Sequence, residues 1–95
     1  MLYTLLHSPW QCDLDSLLLL LKDGDDLLLL QDGVTAALAG SQMLTKLSTS
    51  PATLWVLLED VAARGLVEQI STKVARLDYT GFVAMTAKHQ QQVAW

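Results

Sequence analysis

Short apolar segments alternate with helical patterns along this chain, and the alternation predicts the fold class. Four segments have the length and largely apolar character of buried strands, at residues 2–6, 27–30, 53–58 and 74–77. Helical patterns fall between and after them, at residues 14–21, 35–39, 42–47, 59–64 and 80–88. We therefore predict a single α/β domain over residues 1–95, a small doubly wound, mainly parallel sheet of about four strands with helices on both faces. Residues 90–95 are expected to be a closing tail.

The first helix is apolar on more than the side that would face a sheet. Asp13 suits the capping position before this helix, and leucines follow it at helical spacing on one face. Leu20 flanks that face, and Leu19 points roughly opposite to it. A helix of this kind is expected to contact something besides its own sheet, so Leu19 and Leu20 are candidate interface residues.

The composition also indicates a partner. Hydrophobic residues make up 52% of the chain and charged residues 17%, against about 25% charged in a typical globular protein. A small domain has much surface for its volume, so some of that surface must be apolar. Continuous apolar surface is typical of interaction sites, and we expect an obligate oligomer.

Charge and cysteine content exclude several classes of function. The net charge is −4 and the six basic residues form no cluster, so direct binding to nucleic acid is not expected. The leucine runs are interrupted at residues 22–26 and are too short to span a membrane. The single cysteine, Cys12, permits neither an internal disulfide nor a zinc site. We expect a cytoplasmic protein with no metal and no cofactor.

Polar side chains follow each predicted strand. Ligands of open α/β sheets bind beyond the carboxyl ends of the strands. The candidate site residues there are His7, Asp32, Glu59, Asp60, Asp78 and Tyr79. These residues leave open the hypothesis that the chain is a module that binds a small ligand through its acidic side chains. A hydrolase triad of Ser8, His7 and Asp32 is disfavoured because neighbouring side chains on a strand end point apart and no nucleophile-elbow motif is present.

Cys12 and two tryptophans carry the remaining hypotheses. A cysteine just before a helix start can have a lowered pKa, which would suit a persulfide carrier, but the charges of Asp13 and Asp15 oppose a thiolate. The alternative is a partly buried filler. Trp10 in a loop and Trp95 at the terminus are candidate interface anchors. Trp55 is expected in the core.

Several motifs resemble the TusB subunit family, which belongs to the wider group of DsrE, DsrF and DsrH sulfur-transfer proteins. The resemblance covers essentially the whole chain without a gap. It rests on Met1-Leu2-Tyr3-Thr4-Leu5, His7-Ser8-Pro9-Trp10, Asp23-Gly24-Asp25, Leu28-Leu29-Leu30-Gln31-Asp32-Gly33-Val34-Thr35-Ala36-Ala37, Glu59-Asp60, Ala63-Arg64-Gly65-Leu66, Gln69-Ile70-Ser71, Asp78-Tyr79-Thr80, Phe82-Val83, Lys88-His89 and Ala94-Trp95.

The resemblance implies a place in a sulfur relay. TusB-like chains join TusC-like and TusD-like chains in a 2:2:2 heterohexamer, which passes persulfide sulfur through a TusE-like carrier toward 2-thiolation of the tRNA wobble uridine. The resemblance places the carrier cysteine on the TusD-like subunit, and DsrH-like relatives can hold one inside the first helix, where this chain has leucines at 17–21. It therefore implies a non-catalytic structural subunit. A persulfide-carrying sulfurtransferase that uses Cys12 is the alternative.

Overall fold

Five short parallel strands form one sheet in the computed structural model, which describes residues 1–95. The strands are β1 (Leu2–Leu5), β2 (Asp26–Leu29), β3 (Thr53–Leu57), β4 (Ala75–Leu77) and β5 (Gln92–Ala94). The helices are α1 (Leu14–Leu20), α2 (Gln42–Ser48), α3 (Leu58–Ala63) and α4 (Tyr79–Lys88), and a 3₁₀ segment (Gln31–Ala37) precedes α2. The strands lie in the order β4-β3-β2-β1-β5, and every pairing is parallel.

The predicted α/β fold with a parallel sheet is confirmed, but the sheet has one strand more than expected. The prediction of a tail at residues 90–95 is wrong, because this segment forms β5 beside β1. The backbone N–H of Trp95 donates to the Thr4 carbonyl at 2.7 Å, and that of Leu2 donates to the Gln91 carbonyl at 3.1 Å. Of the three residues of β5 only Val93 has a clear strand preference of its own, so pairing with β1 determines the conformation of this segment.

Of the stretch predicted as helical at residues 35–39, residues 35–37 belong to the 3₁₀ segment, and Leu38 is already extended and bridges Ile70. Gly33 brings this segment against β1, and a Cβ placed on Gly33 would lie 2.0 Å from the Leu5 carbonyl oxygen. Gln31 begins the segment with a φ of 52°, which is a left-handed conformation that few residues other than glycine adopt. Because the segment packs closely on β1 and begins at a left-handed residue, it forms the tighter 3₁₀ helix and not an α-helix.

The order of the strands determines which helices share a face of the sheet. The chain steps in one direction from β1 to β4, so right-handed crossovers put α1, the 3₁₀ segment, α2 and α3 on one face, which we call the three-layer face. The step from β4 back to β5 crosses the sheet in the other direction and puts α4 alone on the opposite face, the α4 face. The two clusters of buried side chains agree with this division.

Because all strands are parallel, their ends define two edges of the sheet. The strands end at the carboxyl edge, where α1, the 3₁₀ segment, α3 and α4 begin. The strands start at the amino edge, where Asp26 opens β2 and where α4 ends. None of the helices has the length and apolar content that crossing a membrane requires.

Candidate functional site

The acidic side chains at the carboxyl edge hold the backbone of neighbouring elements. The Asp60 carboxylate accepts a hydrogen bond of 2.6 Å from the Gln31 backbone N–H, and Asp32 forms an ion pair of 3.1 Å with Arg64. The first contact fixes Gln31 at its left-handed φ, and the second joins the 3₁₀ segment to α3. Both acids therefore connect β2 and its following segment to α3.

Glu59 and Asp78 perform a similar task at the start of α4. Glu59 accepts a hydrogen bond of 3.0 Å from the Tyr79 backbone N–H, and Asp78 caps the helix by accepting one of 2.8 Å from Gly81. Negative charge at a helix start also interacts favourably with the helix dipole. The Tyr79 ring is exposed and packs edge-on against Phe82, with 6.0 Å between ring centroids.

The candidate residues of the carboxyl edge thus share an edge but do not converge on one point. His7 is exposed, and the acids are each engaged with a different neighbour. The surface cavities, with volumes of about 220 to 400 Å³, lie at the amino edge instead, near Lys73 and near Met1 and Lys88. No group of three histidine, cysteine, aspartate or glutamate side chains is placed to hold a metal ion.

A polar cluster at the amino edge was not predicted from the sequence. Asp26, only 4% exposed, accepts a hydrogen bond of 3.0 Å from the Trp55 indole N–H. Its other oxygen lies 2.6 Å from Nε2 of His89 and 3.3 Å from Nζ of Lys88. The Asp26 carboxylate therefore connects β2 to β3 and to the end of α4.

Burial and hydrogen bonding act on the Asp26 carboxyl in opposite directions. Burial would raise its pKa, but the hydrogen bonds from His89, Trp55 and Lys88 and the charge of Lys88 outweigh burial and hold the pKa below its ordinary value. Two features of the sequence belong to this cluster: the acidic residue Asp26 before an apolar run, and the pair Lys88-His89 at the end of a helix. His89 lies 63 positions from Asp26, so no local pattern could have joined them.

Cys12 is a poor candidate for a reactive thiol in this fold. The residue is partly buried and packs against the buried cluster of the three-layer face, as does Trp95. Burial and the neighbouring charge of Asp13 both raise the pKa of the Cys12 thiol. The reactive form of cysteine is the thiolate, so the structure disfavours the form that would attack a persulfide.

The residues expected to contact partners lie in different places. Trp10 is 75% exposed in the loop before α1, whereas Leu19 and Leu20 lie at the far end of that helix. Trp95 packs within its own chain, and its indole N–H donates to the Asp13 carbonyl at 3.0 Å. Trp55, which was expected in the core, is partly buried and packs against the cluster of the α4 face.

Comparison with known proteins assigns the family. Residues 7–92 match the family model described as DsrH like protein. Protein TusB of Yersinia pestis (strain Pestoides F) and Protein TusB of Yersinia pseudotuberculosis serotype O:1b (strain IP 31758) are each 57% identical to this chain over 95 residues, with 100% of both chains covered. The chain therefore belongs to the DsrH-like family and, within it, to the TusB family.

Proposed function

We propose that this chain is a non-catalytic subunit of a sulfur-relay complex that passes persulfide sulfur toward 2-thiolation of the tRNA wobble uridine. Membership of the TusB family supports involvement in the tRNA sulfur relay. The partners we propose are TusC-like and TusD-like subunits in a cytoplasmic 2:2:2 heterohexamer, with a TusE-like carrier acting next. In this proposal the chain stabilises the arrangement of the subunits and does not hold the sulfur itself.

The surroundings of Cys12 are the observation that carries the non-catalytic role, because the thiol is partly buried against the cluster of the three-layer face and lies next to Asp13. In persulfide transfer, a thiolate attacks the outer sulfur of the donor persulfide, the donor's S–S bond breaks, and the donor cysteine leaves as a thiolate. The chain has one cysteine, and burial and Asp13 both raise the pKa of its thiol. Fewer Cys12 side chains are then in the attacking form at neutral pH.

Exposed apolar side chains support a role in assembly. Trp10, Leu19 and Leu20 are exposed, and we propose that they contact partner subunits. We propose Trp95 as a further partner contact. Its hydrogen bond to the Asp13 carbonyl supports a second role, in which it holds the loop before α1. The charge of −4 and the scattered basic residues support a role in which this chain does not bind tRNA directly.

Replacement of Cys12 by serine tests the non-catalytic role. We expect Cys12→Ser to assemble normally and to leave the rate of sulfur transfer within about twofold of wild type, because a partly buried thiol is replaced by a smaller hydroxyl. The measurement is transfer of ³⁵S from a cysteine desulfurase through the reconstituted complex. Normal assembly with loss of transfer would establish Cys12 as a carrier, and ³⁵S that reductant releases from the isolated chain would do the same.

A further inference from the structure

The outer side of α4 carries large apolar side chains and no charge before Lys88, although it faces solvent. Phe82 and Met85 pack toward the sheet in the buried cluster of the α4 face. On the other side of the helix, Tyr79 and Val83 are four positions apart and therefore neighbours, and they are 60% and 53% exposed. No further element of the chain covers this helix. Apolar side chains thus line both its inner and its outer side.

Leu58 extends this apolar surface across the carboxyl edge. Leu58 opens α3 and is 36% exposed. The next residue, Glu59, accepts the backbone hydrogen bond of Tyr79 at 3.0 Å, which places the start of α3 beside the start of α4. We call the surface formed by Leu58, Tyr79 and Val83 the α4 stripe.

The α4 stripe has uncompensated negative charge at one end. Glu59 and Asp78 flank Tyr79 and accept hydrogen bonds from the backbone, but neither belongs to any of the ion pairs of the chain. No charged residue lies in α4 between Asp78 and Lys88. A partner that covers the stripe therefore meets a neutral apolar surface with two carboxylates at one end.

We propose that the α4 stripe docks a different protein chain, through apolar side chains followed by a lysine or arginine that meets Glu59 and Asp78. This inference rests on the proposed function, in which that chain is another subunit of the relay. A second copy of the same chain is a poorer match. The chain carries a net charge of −4, so a second copy would bring more acids than cations to Glu59 and Asp78, and the cation of its α4, Lys88, is already paired with Asp26 at 3.3 Å. Within the stripe, Tyr79 and Val83 lie on the opposite face of the sheet from α1, which carries Leu19 and Leu20, while Leu58 lies at the carboxyl edge where α3 begins.

Matched substitutions test the docking surface. The full chain is mixed with co-purified TusC-like and TusD-like subunits, and affinity is measured by biolayer interferometry. We expect Val83→Glu to weaken binding by at least about tenfold, because it buries an unpaired charge in the interface. Val67→Glu is the control, since Val67 is 36% exposed in the loop after α3 and lies outside the stripe. Thermal unfolding of both variants, followed by circular dichroism, checks that they fold as the wild type does.

A second pair of substitutions tests the charge of the partner. Glu59→Gln keeps an oxygen that can accept from the Tyr79 N–H but removes the charge, and Glu68→Gln makes the same change at an exposed loop position. We expect Glu59→Gln to weaken binding about threefold and to reduce its salt dependence, with no effect of Glu68→Gln.

The outcomes separate this inference from the proposed function. Wild-type chain that binds no relay subunit contradicts the proposed function and removes the basis of the inference. Wild-type binding that survives Val83→Glu in a folded protein overturns the inference alone. Dimerisation of the isolated chain that Val83→Glu abolishes also overturns it, because the stripe would then bind a second copy. Loss of affinity with Val83→Glu but not Val67→Glu, and with Glu59→Gln but not Glu68→Gln, supports it.

Discussion

The two faces of the sheet are built differently. On the three-layer face, α1, the 3₁₀ segment, α2 and α3 cover a cluster of 18 buried hydrophobic residues. On the α4 face, a single helix covers a cluster of 5, and a buried carboxylate with its hydrogen-bond partners completes the contact between helix and sheet. The first face depends on apolar packing, whereas the second combines a little packing with directed polar contacts.

The difference teaches where this small domain can form an interface. On the three-layer face, helical segments already cover the sheet, so a partner could bury little further sheet surface there. The α4 face has a single covering helix, and that helix has an apolar outer side. We infer that the three-layer face supplies most of the stability of the fold, while the α4 face supplies a surface for a partner in addition to the exposed side of α1 that carries Leu19 and Leu20.

The largest expected effect contrasts one residue from each face. Leu17 of α1 is fully buried in the larger cluster, and Met85 of α4 is 8% exposed in the smaller one. We expect Leu17→Ala to lower the free energy of unfolding by about 3–4 kcal/mol and Met85→Ala by about 2 kcal/mol, because the smaller cluster can relax around the lost side chain. Urea unfolding measures both. Equal losses would contradict the difference that we infer between the faces.

A smaller effect is expected from the polar contact that holds α4. In Asp26→Asn, an amide replaces the carboxylate. The amide NH₂ group can only donate, so it cannot accept the hydrogen bonds that one carboxylate oxygen accepts from His89 and Lys88. We expect the free energy of unfolding to fall by about 1–3 kcal/mol, measured by urea unfolding at neutral pH. Asp23→Asn is the control, because Asp23 is exposed in the turn before β2 and should leave stability unchanged. Equal behaviour of the two variants would show that the Asp26 contacts contribute little.

The smallest expected effect is the response of this contact to acid. The pKa of Asp26 is lower in the folded protein than its ordinary value of 3.8, so the unfolded chain binds more protons in acid. The stabilisation is present above pH 3.8 and is lost as the pH falls below that value through the folded pKa. We expect Asp26→Asn to lose less stability on acidification than the wild type does. Some acid sensitivity should remain, since Asp25 also has a lowered pKa.

The sequence predicted the elements whose pattern is local. The leucines after Asp13 correctly predicted α1, and Asp13 caps it by accepting from the Ser16 N–H at 3.1 Å. The strand β5 was missed because its residues adopt a strand only through pairing with β1, more than eighty positions away along the chain. The sequence predicted a helical stretch at residues 35–39 and not the 3₁₀ segment that begins at Gln31, because the approach of this segment to Leu5 depends on tertiary contacts at Gly33.

The sequence also indicated where polar residues gather, but not what they contact. The alternation of strands and helices put Asp32, Glu59, Asp60 and Asp78 just after predicted strands, and in the structure they follow β2, β3 and β4 along the carboxyl edge. Their engagement with Arg64 and with backbone N–H groups depends on the distances between neighbouring loops, which no pattern encodes. The cluster of Asp26, Trp55 and His89 was missed for the same reason, since its members come from three separate elements.

Native mass spectrometry of the tagged chain, purified from its source cells at endogenous level, tests the central claim most directly. We expect a TusC-like and a TusD-like chain to co-purify with it in equal amounts, in an assembly with two copies of each. A chain that emerges alone, folded and monomeric at high dilution, and that binds neither subunit when they are added back, would contradict its role as a subunit of the relay.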